Sequence, residues 1–285
     1  TLLTWLAAAA FGTGTVLLVR RWTAAPVWAI AATLMLFQGV TETAFFFNDN
    51  IIASGFAVWG LLALYLERRI LGAALCGALF AAAVLTRSDT ILISPAALLV
   101  LLERYRSWRP VAEALAFAGA VGGAILFGIL AAFNPTVFDI LTVANAATSA
   151  WKSSYSADPA LQLFYFLGIP GSIIVLGGIL SFIGKRDLKG LARFLIVPAI
   201  FLGAIGSQLW VLRQLLPLTP FLAAIGATYL AALAKPHGSA RHAVQLGLIG
   251  GIVAVVLFGP VYGQRTIDGP RALTGRVANV AHWRG

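Results

Sequence analysis

A short polar stretch, FFFNDN at residues 45–50, interrupts an apolar region and carries side chains that can do chemistry. Asp49 is a carboxylate that could accept a proton from an incoming hydroxyl group or help to hold a divalent cation. Asn48 could bind the same substrate, and Glu42 is a second candidate catalytic carboxylate. Asp49 is equally a favoured N-cap residue, because an apolar run begins at Ile51. Both roles stay open.

A second pair of charged residues, Arg87 and Asp89, lies in the sequence LTRSDTILISP. A guanidinium group matches the geometry of a phosphate, so Arg87 could contact a lipid-linked phosphate, with Asp89 as a neighbouring substrate-binding residue. The alternative is an ion pair between the two, with Asp89 capping the next helix.

Three further residues are candidates for substrate binding. Arg213 has apolar residues on both sides, so it either snorkels to lipid headgroups or binds an anion at the mouth of a cavity. Lys152 and Tyr155 belong to the long loop 134–160, which is either an interfacial aromatic belt or a lid over a lipid-phosphate site. Loops of this length are uncommon unless they are functional or disordered.

The segments that carry these residues are strongly apolar. The chain is 60% hydrophobic and only 11% charged, whereas soluble domains are about 25% charged. Its mean hydropathy of +0.91 excludes a soluble globular protein and predicts an all-α, polytopic bundle of transmembrane helices. The net charge of +10 does not indicate nucleic-acid binding, because the basic residues form no single patch. The three histidines lack the spacing of zinc ligands.

Ten apolar segments approach the length that a membrane span requires. We predict about 9–10 membrane segments in a domain at residues 1–262, followed by a short extracytoplasmic tail at 263–285 that could belong to a truncated soluble domain. The segment 90–102 is the weakest full span, because it is short and contains Pro95. The ten are 1–19, 24–44, 51–66, 70–86, 90–102, 111–133, 161–183, 191–210, 214–234 and 243–262.

Basic residues between these segments predict the orientation. Seven lie on the side of the candidate site residues, four of them in the tail, and 13 lie on the other side. Since short cytoplasmic loops are rich in Lys and Arg, we expect a multi-pass protein of the cytoplasmic membrane with its active face extracytoplasmic. The 13 are Arg20, Arg21, Arg68, Arg69, Arg104, Arg106, Arg109, Lys185, Arg186, Lys189, Arg193, Lys235 and Arg241.

Three stretches together resemble the polytopic GT-C glycosyltransferases, which include protein O-mannosyltransferases, aminoarabinose transferases and arabinofuranosyltransferases. FFFNDNIIASGFAVWGLLALYLERR is similar to their second external loop and following helix. ALFAAAVLTRSDTILISPAALLVLL is similar to a later segment with a short loop between two helices, and LRQLLPLTPFLAAIGATYLAAL to a late motif with an arginine near two prolines.

The resemblance implies transfer of a sugar from a polyprenyl-phosphate donor to a glycan, lipid or protein acceptor. Asp49 would match an acidic residue that assists the main catalytic acid of the first external loop. Arg87 and Arg213 would be candidates for contact with the donor phosphate, with Arg213 the better match, and Mg²⁺ or Mn²⁺ could serve as a cofactor. The family's first helix and first loop are not in this sequence, and the orientation likewise predicts a further span before Thr1.

Two other functions compete with an enzyme. A transporter or flippase predicts ionisable residues at mid-span and broken helices that meet near the midplane, whereas the charges here lie at segment ends. A non-catalytic membrane subunit is the other alternative, because the loop that carries the family's main catalytic acid is missing from the sequence.

Overall fold

The chain folds into helices, as its composition predicts. A computed structural model describes residues 2–44, 49–105, 107–133, 159–205 and 212–234. No strand occurs in these ranges, so the predicted all-α fold is confirmed for them. The α-helices are α1 (Leu2–Trp22), α2 (Val27–Leu36), α3 (Gln38–Ala44), α4 (Asp49–Ala63), α5 (Arg69–Thr86), α6 (Pro95–Arg104), α7 (Trp108–Phe133), α8 (Pro159–Gly184), α9 (Leu188–Ile205) and α10 (Thr219–Leu233). A first 3-10 helix spans Ser88–Ile93 and a second spans Leu212–Leu218.

Four helical segments of the described chain are long and apolar enough to cross a membrane: Arg69–Thr86, Trp108–Ala132, Gln162–Gly184 and Gln214–Leu233. They are compatible with a membrane-embedded protein and overlap four of the predicted spans. The predicted span 243–262 and the tail 263–285 lie outside the described residues.

Four predicted spans are not continuous α-helices, one of them being 214–234, which begins in the second 3-10 helix and continues in α10. The segment 24–44 divides into α2 and α3 at Phe37, which has an extended backbone (φ −81°, ψ 109°). The segment 90–102 divides into the first 3-10 helix and α6, since Pro95 has no N–H group to continue a helix. The segment 161–183 is broken inside α8 at Gly168. Hydropathy reports only apolar character over a window, so it did not show these breaks.

The break in α8 packs against the break between α2 and α3. Gly168 has φ 66° and ψ 176°, a conformation that is essentially restricted to glycine. A β-carbon at Gly168 would lie 3.2 Å from the Gln38 side chain, and one at Gly171 would lie 3.2 Å from the Leu36 carbonyl oxygen. The two irregular segments therefore pack so closely that a side chain at either glycine would contact the other segment.

The helices differ widely in burial. Within Gln214–Leu233, which contains α10, 78% of the most apolar stretch is buried, so α10 is a central helix of the described bundle. In α7 the corresponding share is 6%. Helix α7 meets α5 through glycines, since a β-carbon at Gly77 would lie 2.2 Å from the Ala118 carbonyl oxygen. Such close approach is how helices gain van der Waals contact in lipid.

Polar contacts join several helix ends at one end of the bundle. Trp22 Nε1 donates a hydrogen bond to Tyr65 Oη at 3.0 Å, and Tyr65 Oη donates to Glu103 Oε2 at 3.4 Å. Arg193 forms an ion pair with Glu103. We call this the basic end, because it carries Arg20, Arg21, Arg68, Arg69, Arg104, Arg109, Lys185, Arg186, Lys189 and Arg193.

Replacing Gly168 tests the break in α8. Alanine is strained at its positive φ, so we expect Gly168→Ala to lower the free energy of unfolding by about 1–3 kcal/mol in detergent micelles. Gly184→Ala in the same helix is the control, because a β-carbon added there would meet nothing within 4 Å. Equal effects of the two changes would contradict the assigned conformation.

A pH dependence follows from Tyr65, in the turn between α4 and α5. Burial, reinforced by the charge of Glu103, raises the pKa of Tyr65 to about 12, against about 10 in an unfolded chain. The folded state thus holds the proton more tightly, and this contribution to stability is full below about pH 10 and lost as the pH rises towards 12.

We therefore expect the thermal midpoint of the wild type to fall relative to that of Tyr65→Phe between about pH 10 and 12. Unfolding is followed by circular dichroism at a series of pH values, so that every other titrating group is common to both proteins. A constant difference between the two midpoints across this range would contradict the role assigned to the Tyr65 phenol.

Candidate functional site

Three of the residues predicted to do chemistry lie together at the end of the bundle opposite the basic end. Asp49 is the first residue of α4, and Arg87 lies between α5 and the first 3-10 helix. Asp89 lies in the first turn of that 3-10 helix. The backbone of Arg87 is extended (φ −153°, ψ 117°), so α5 ends at Thr86 and the first 3-10 helix begins at Ser88. With Asn50, we call these residues the Arg87 cluster.

The guanidinium group of Arg87 binds both carboxylates. Its Nε donates to Asp89 Oδ1 at 3.1 Å and its Nη2 donates to Asp89 Oδ2 at 3.0 Å, which is a bidentate pair. Its Nη1 donates to Asp49 Oδ2 at 3.3 Å. One planar cation thus fixes two acidic side chains from separate elements.

Asp49 is held at both of its oxygens and is the most open member of the cluster. Besides the contact with Arg87, Asp49 Oδ1 accepts a hydrogen bond from Asn50 Nδ2 at 3.0 Å. The Asn50 residue is only 2% exposed. Side-chain exposure is 51% for Asp49, 22% for Arg87 and 16% for Asp89. A substrate therefore reaches Asp49 more readily than its two charged neighbours.

One alternative for Arg87 and Asp89 combined an ion pair with helix capping by Asp89, and the structure bears out only the first part. Arg87 occupies the N-cap position of the first 3-10 helix, and no side-chain capping bond forms there. The expectation that Asp89 caps this helix is therefore wrong, whereas the ion pair with Arg87 is present. For Asp49, the preceding residues 45–48 lie outside the described structure, so its role as a helix cap stays a prediction.

The cluster has an excess of negative charge. Burial alone would lower the pKa of Arg87, but hydrogen bonds and charge from Asp89, and then Asp49, outweigh burial and raise it. Arg87 stays protonated, and one cation with two carboxylates leaves one net negative charge. A cation is attracted to this charge, and a hydroxyl group can donate a hydrogen bond to the open Asp49 carboxylate, whereas the cluster offers a phosphate no net attraction.

The described residues do not make a complete cation site. No group of three or more His, Cys, Asp or Glu side chains suited to a metal occurs in the ranges that the structure covers. Asp49 could offer oxygen to Mg²⁺ or Mn²⁺, since each of its oxygens keeps a lone pair beside the one hydrogen bond that it accepts. Asp89 is held by Arg87 in a bidentate pair. Within the described residues Asp49 is thus the one open carboxylate of the cluster, and a divalent cation bound there would need further ligands.

The other predicted residues are placed only in part. Glu42 lies in α3, and Arg213 lies in the second 3-10 helix, which packs against α3, α4 and α8. The side chains of both lie outside the described structure, as do all of Asn48, Lys152 and Tyr155. Asn50 was not predicted as a site residue, although an amide at the second position of an otherwise apolar helix is the signal that could have found it.

Three buried polar residues, Thr33, Ser172 and Thr219, lie near the helix breaks. In α10, Gly226 approaches Thr33 of α2 and Ile174 of α8. The breaks at Phe37, Gly168 and the start of α10 lie about 6–10 Å from this contact along their helices. Nearby, the buried hydroxyls of Ser172 and Thr219 have no hydrogen-bond partner in the described structure. Three irregular segments therefore occur at similar depth.

Comparison of the chain with protein-family models, curated proteins and solved structures gave no match.

The geometry of the Arg87 cluster can be tested without a substrate. Double-mutant cycles with Arg87→Gln, Asp89→Asn and Asp49→Asn measure each pairwise coupling in the free energy of unfolding. We expect about 1–3 kcal/mol between Arg87 and Asp89, which are mostly buried and bidentate, and less than about 1 kcal/mol between Arg87 and the exposed Asp49. The reverse order would contradict the described contacts.

Proposed function

We propose that this protein is a membrane glycosyltransferase that moves a sugar from a polyprenyl-phosphate donor to an acceptor hydroxyl group, in the manner of the GT-C glycosyltransferases that its sequence resembles. The observation that carries the proposal is the half-exposed carboxylate of Asp49, held at both oxygens by Arg87 and Asn50. The proposed location is the extracytoplasmic face of the cytoplasmic membrane, because the cluster lies opposite the basic end.

In the proposed reaction the acceptor oxygen forms a bond to the anomeric carbon of the sugar. The bond between that carbon and the phosphate oxygen breaks, and the polyprenyl phosphate leaves with the electron pair. Asp49 takes the proton of the acceptor hydroxyl as general base, a role that requires hydrogen-bond contact with the acceptor. Its exposure and its two fixed hydrogen bonds suit this role.

The leaving phosphate requires positive charge where its negative charge develops. The best candidate for this role is Arg213, since its 3-10 helix packs against α4, of which Asp49 is the first residue. Lys152 is the second candidate. This arrangement assigns acceptor and donor to different residues: a carboxylate for the hydroxyl group and separate cations for the phosphate.

Asp49→Asn tests the proposed general base, because asparagine keeps the shape and loses the basic oxygen. We expect transfer from a panel of polyprenyl-phosphate sugars in proteoliposomes to fall by about 10²–10⁴-fold. Glu67→Gln, an exposed residue near the basic end, is the matched control and should retain activity. If Asp49→Asn transferred sugar at the rate of the wild type, Asp49 would not be the general base.

A transporter or flippase is the second candidate, and the adjacent helix breaks favour it. Discontinuous helices that meet within the bundle are typical of transport sites, and the breaks at Phe37 and Gly168 pack together here. The same proteoliposomes distinguish the two functions. Movement of an unmodified polyprenyl-phosphate sugar across the bilayer, with no transfer to any acceptor, would favour transport over the enzyme.

A further inference from the structure

We propose that Arg87 is a positioning residue, anchored by Asp89, that holds Asp49 for the acceptor and does not bind the donor phosphate. This inference rests on the proposed function and deepens it, because it assigns the Arg87 cluster to the acceptor. It differs from the role that the resemblance implies for Arg87, which is contact with the donor phosphate.

The hydrogen-bonding capacity of Arg87 is the first reason. Asp89 takes the Nε hydrogen and one Nη2 hydrogen, and Asp49 takes one Nη1 hydrogen, so three of the five N–H groups already donate to carboxylates. A phosphate at the two remaining N–H groups would lie beside two carboxylates, and a phosphate at the Nε and Nη2 edge would have to displace Asp89. Displacing Asp89 would leave a carboxylate that is 16% exposed without its cation, which is costly.

The order of burial is the second reason. Exposure rises from Asp89 through Arg87 to Asp49, so the cluster is fixed at its inner member and presents its outer member. The Asn50 amide, itself buried, constrains the other oxygen of Asp49. Two fixed oxygens on one half-exposed carboxylate define the direction from which a hydroxyl group can donate, which is the purpose of a positioning shell around a general base.

The net charge is the third reason. A cluster with one excess negative charge offers the phosphate of a lipid carrier no net attraction, whereas its half-exposed Asp49 carboxylate can accept a hydrogen bond from a hydroxyl group. The proposed site therefore takes a neutral acceptor with a free hydroxyl group, or an acceptor that carries an ammonium group beside it. An anionic acceptor is disfavoured unless another cation faces it.

The variants Asp89→Asn and Arg87→Lys separate positioning from phosphate binding. Asp89→Asn removes a countercharge from Arg87, so a phosphate-binding Arg87 would bind the donor more tightly. A positioning Arg87 would instead lose its anchor, and turnover would fall. Arg87→Lys keeps the charge but cannot make three hydrogen bonds in a fixed plane, whereas lysine remains an effective phosphate ligand.

We expect both variants to lower kcat by up to about 100-fold, the scale of an error of about 1 Å in positioning, while KM for the donor changes by less than about twofold. Glu67→Gln again serves as the control. Two results would overturn the proposal. The first is a lower donor KM in Asp89→Asn. The second is nearly normal kcat and donor KM in Arg87→Lys together with a raised donor KM in Arg87→Gln.

Binding of decaprenyl phosphate alone, measured by native mass spectrometry of the full chain in nanodiscs, tests the same proposal without catalysis. We expect the wild type, Arg87→Gln and Asp89→Asn to bind this lipid to within about twofold of one another, because the proposed phosphate site lies outside the cluster and salt screens the charges of exposed groups. Weaker binding by Arg87→Gln and tighter binding by Asp89→Asn would assign the phosphate to Arg87. A wild type that binds normally but transfers no sugar would instead count against the proposed function, so the two failures are distinguishable.

Discussion

The need to satisfy every backbone N–H and C=O group away from water governs this structure. In apolar surroundings a helix meets this need within its own segment, and a break is tolerated only where neighbouring protein or a polar cavity replaces the lost bonds. The breaks at Phe37 and Gly168 follow this rule, because they pack against each other and next to the central α10. The extended residue Arg87 follows it differently, since the irregular segment after α5 is fixed by a guanidinium group that binds two carboxylates.

Charge and exposure together give the Arg87 cluster its chemical character. A buried ion pair stabilises little by itself, because removing two charges from water offsets most of their attraction. Its value here is geometric: Asp89 fixes the plane of Arg87, and Arg87 fixes one oxygen of Asp49. The cluster is thus better suited to orient a proton acceptor than to collect an anion, and the proposed division between an acceptor site and a separate phosphate site follows from this.

The sequence predicted the helical class and the composition of the site better than its geometry. Apolar runs located α5 and α7 to within a few residues, because each is a continuous helix. They did not reveal the break at Gly168, since backbone dihedral angles leave no mark in hydropathy. Residue type and the expected side of the membrane indicated Asp49, Arg87 and Asp89, but their contact required the pairing of α4 with α5. The part played by Asn50 depends on burial, which no local pattern specified.

The ties at the basic end have a mechanical consequence. Through Trp22, Tyr65, Glu103 and Arg193, polar contacts there join α1, the turn after α4, α6 and α9, and the pair of Arg69 with Glu113 adds α5 and α7. Glu103 accepts from both Tyr65 and Arg193, so these contacts form one continuous chain of partners. Loss of the Glu103 carboxylate would therefore uncouple α6 from the turn after α4 and from α9 at the same time.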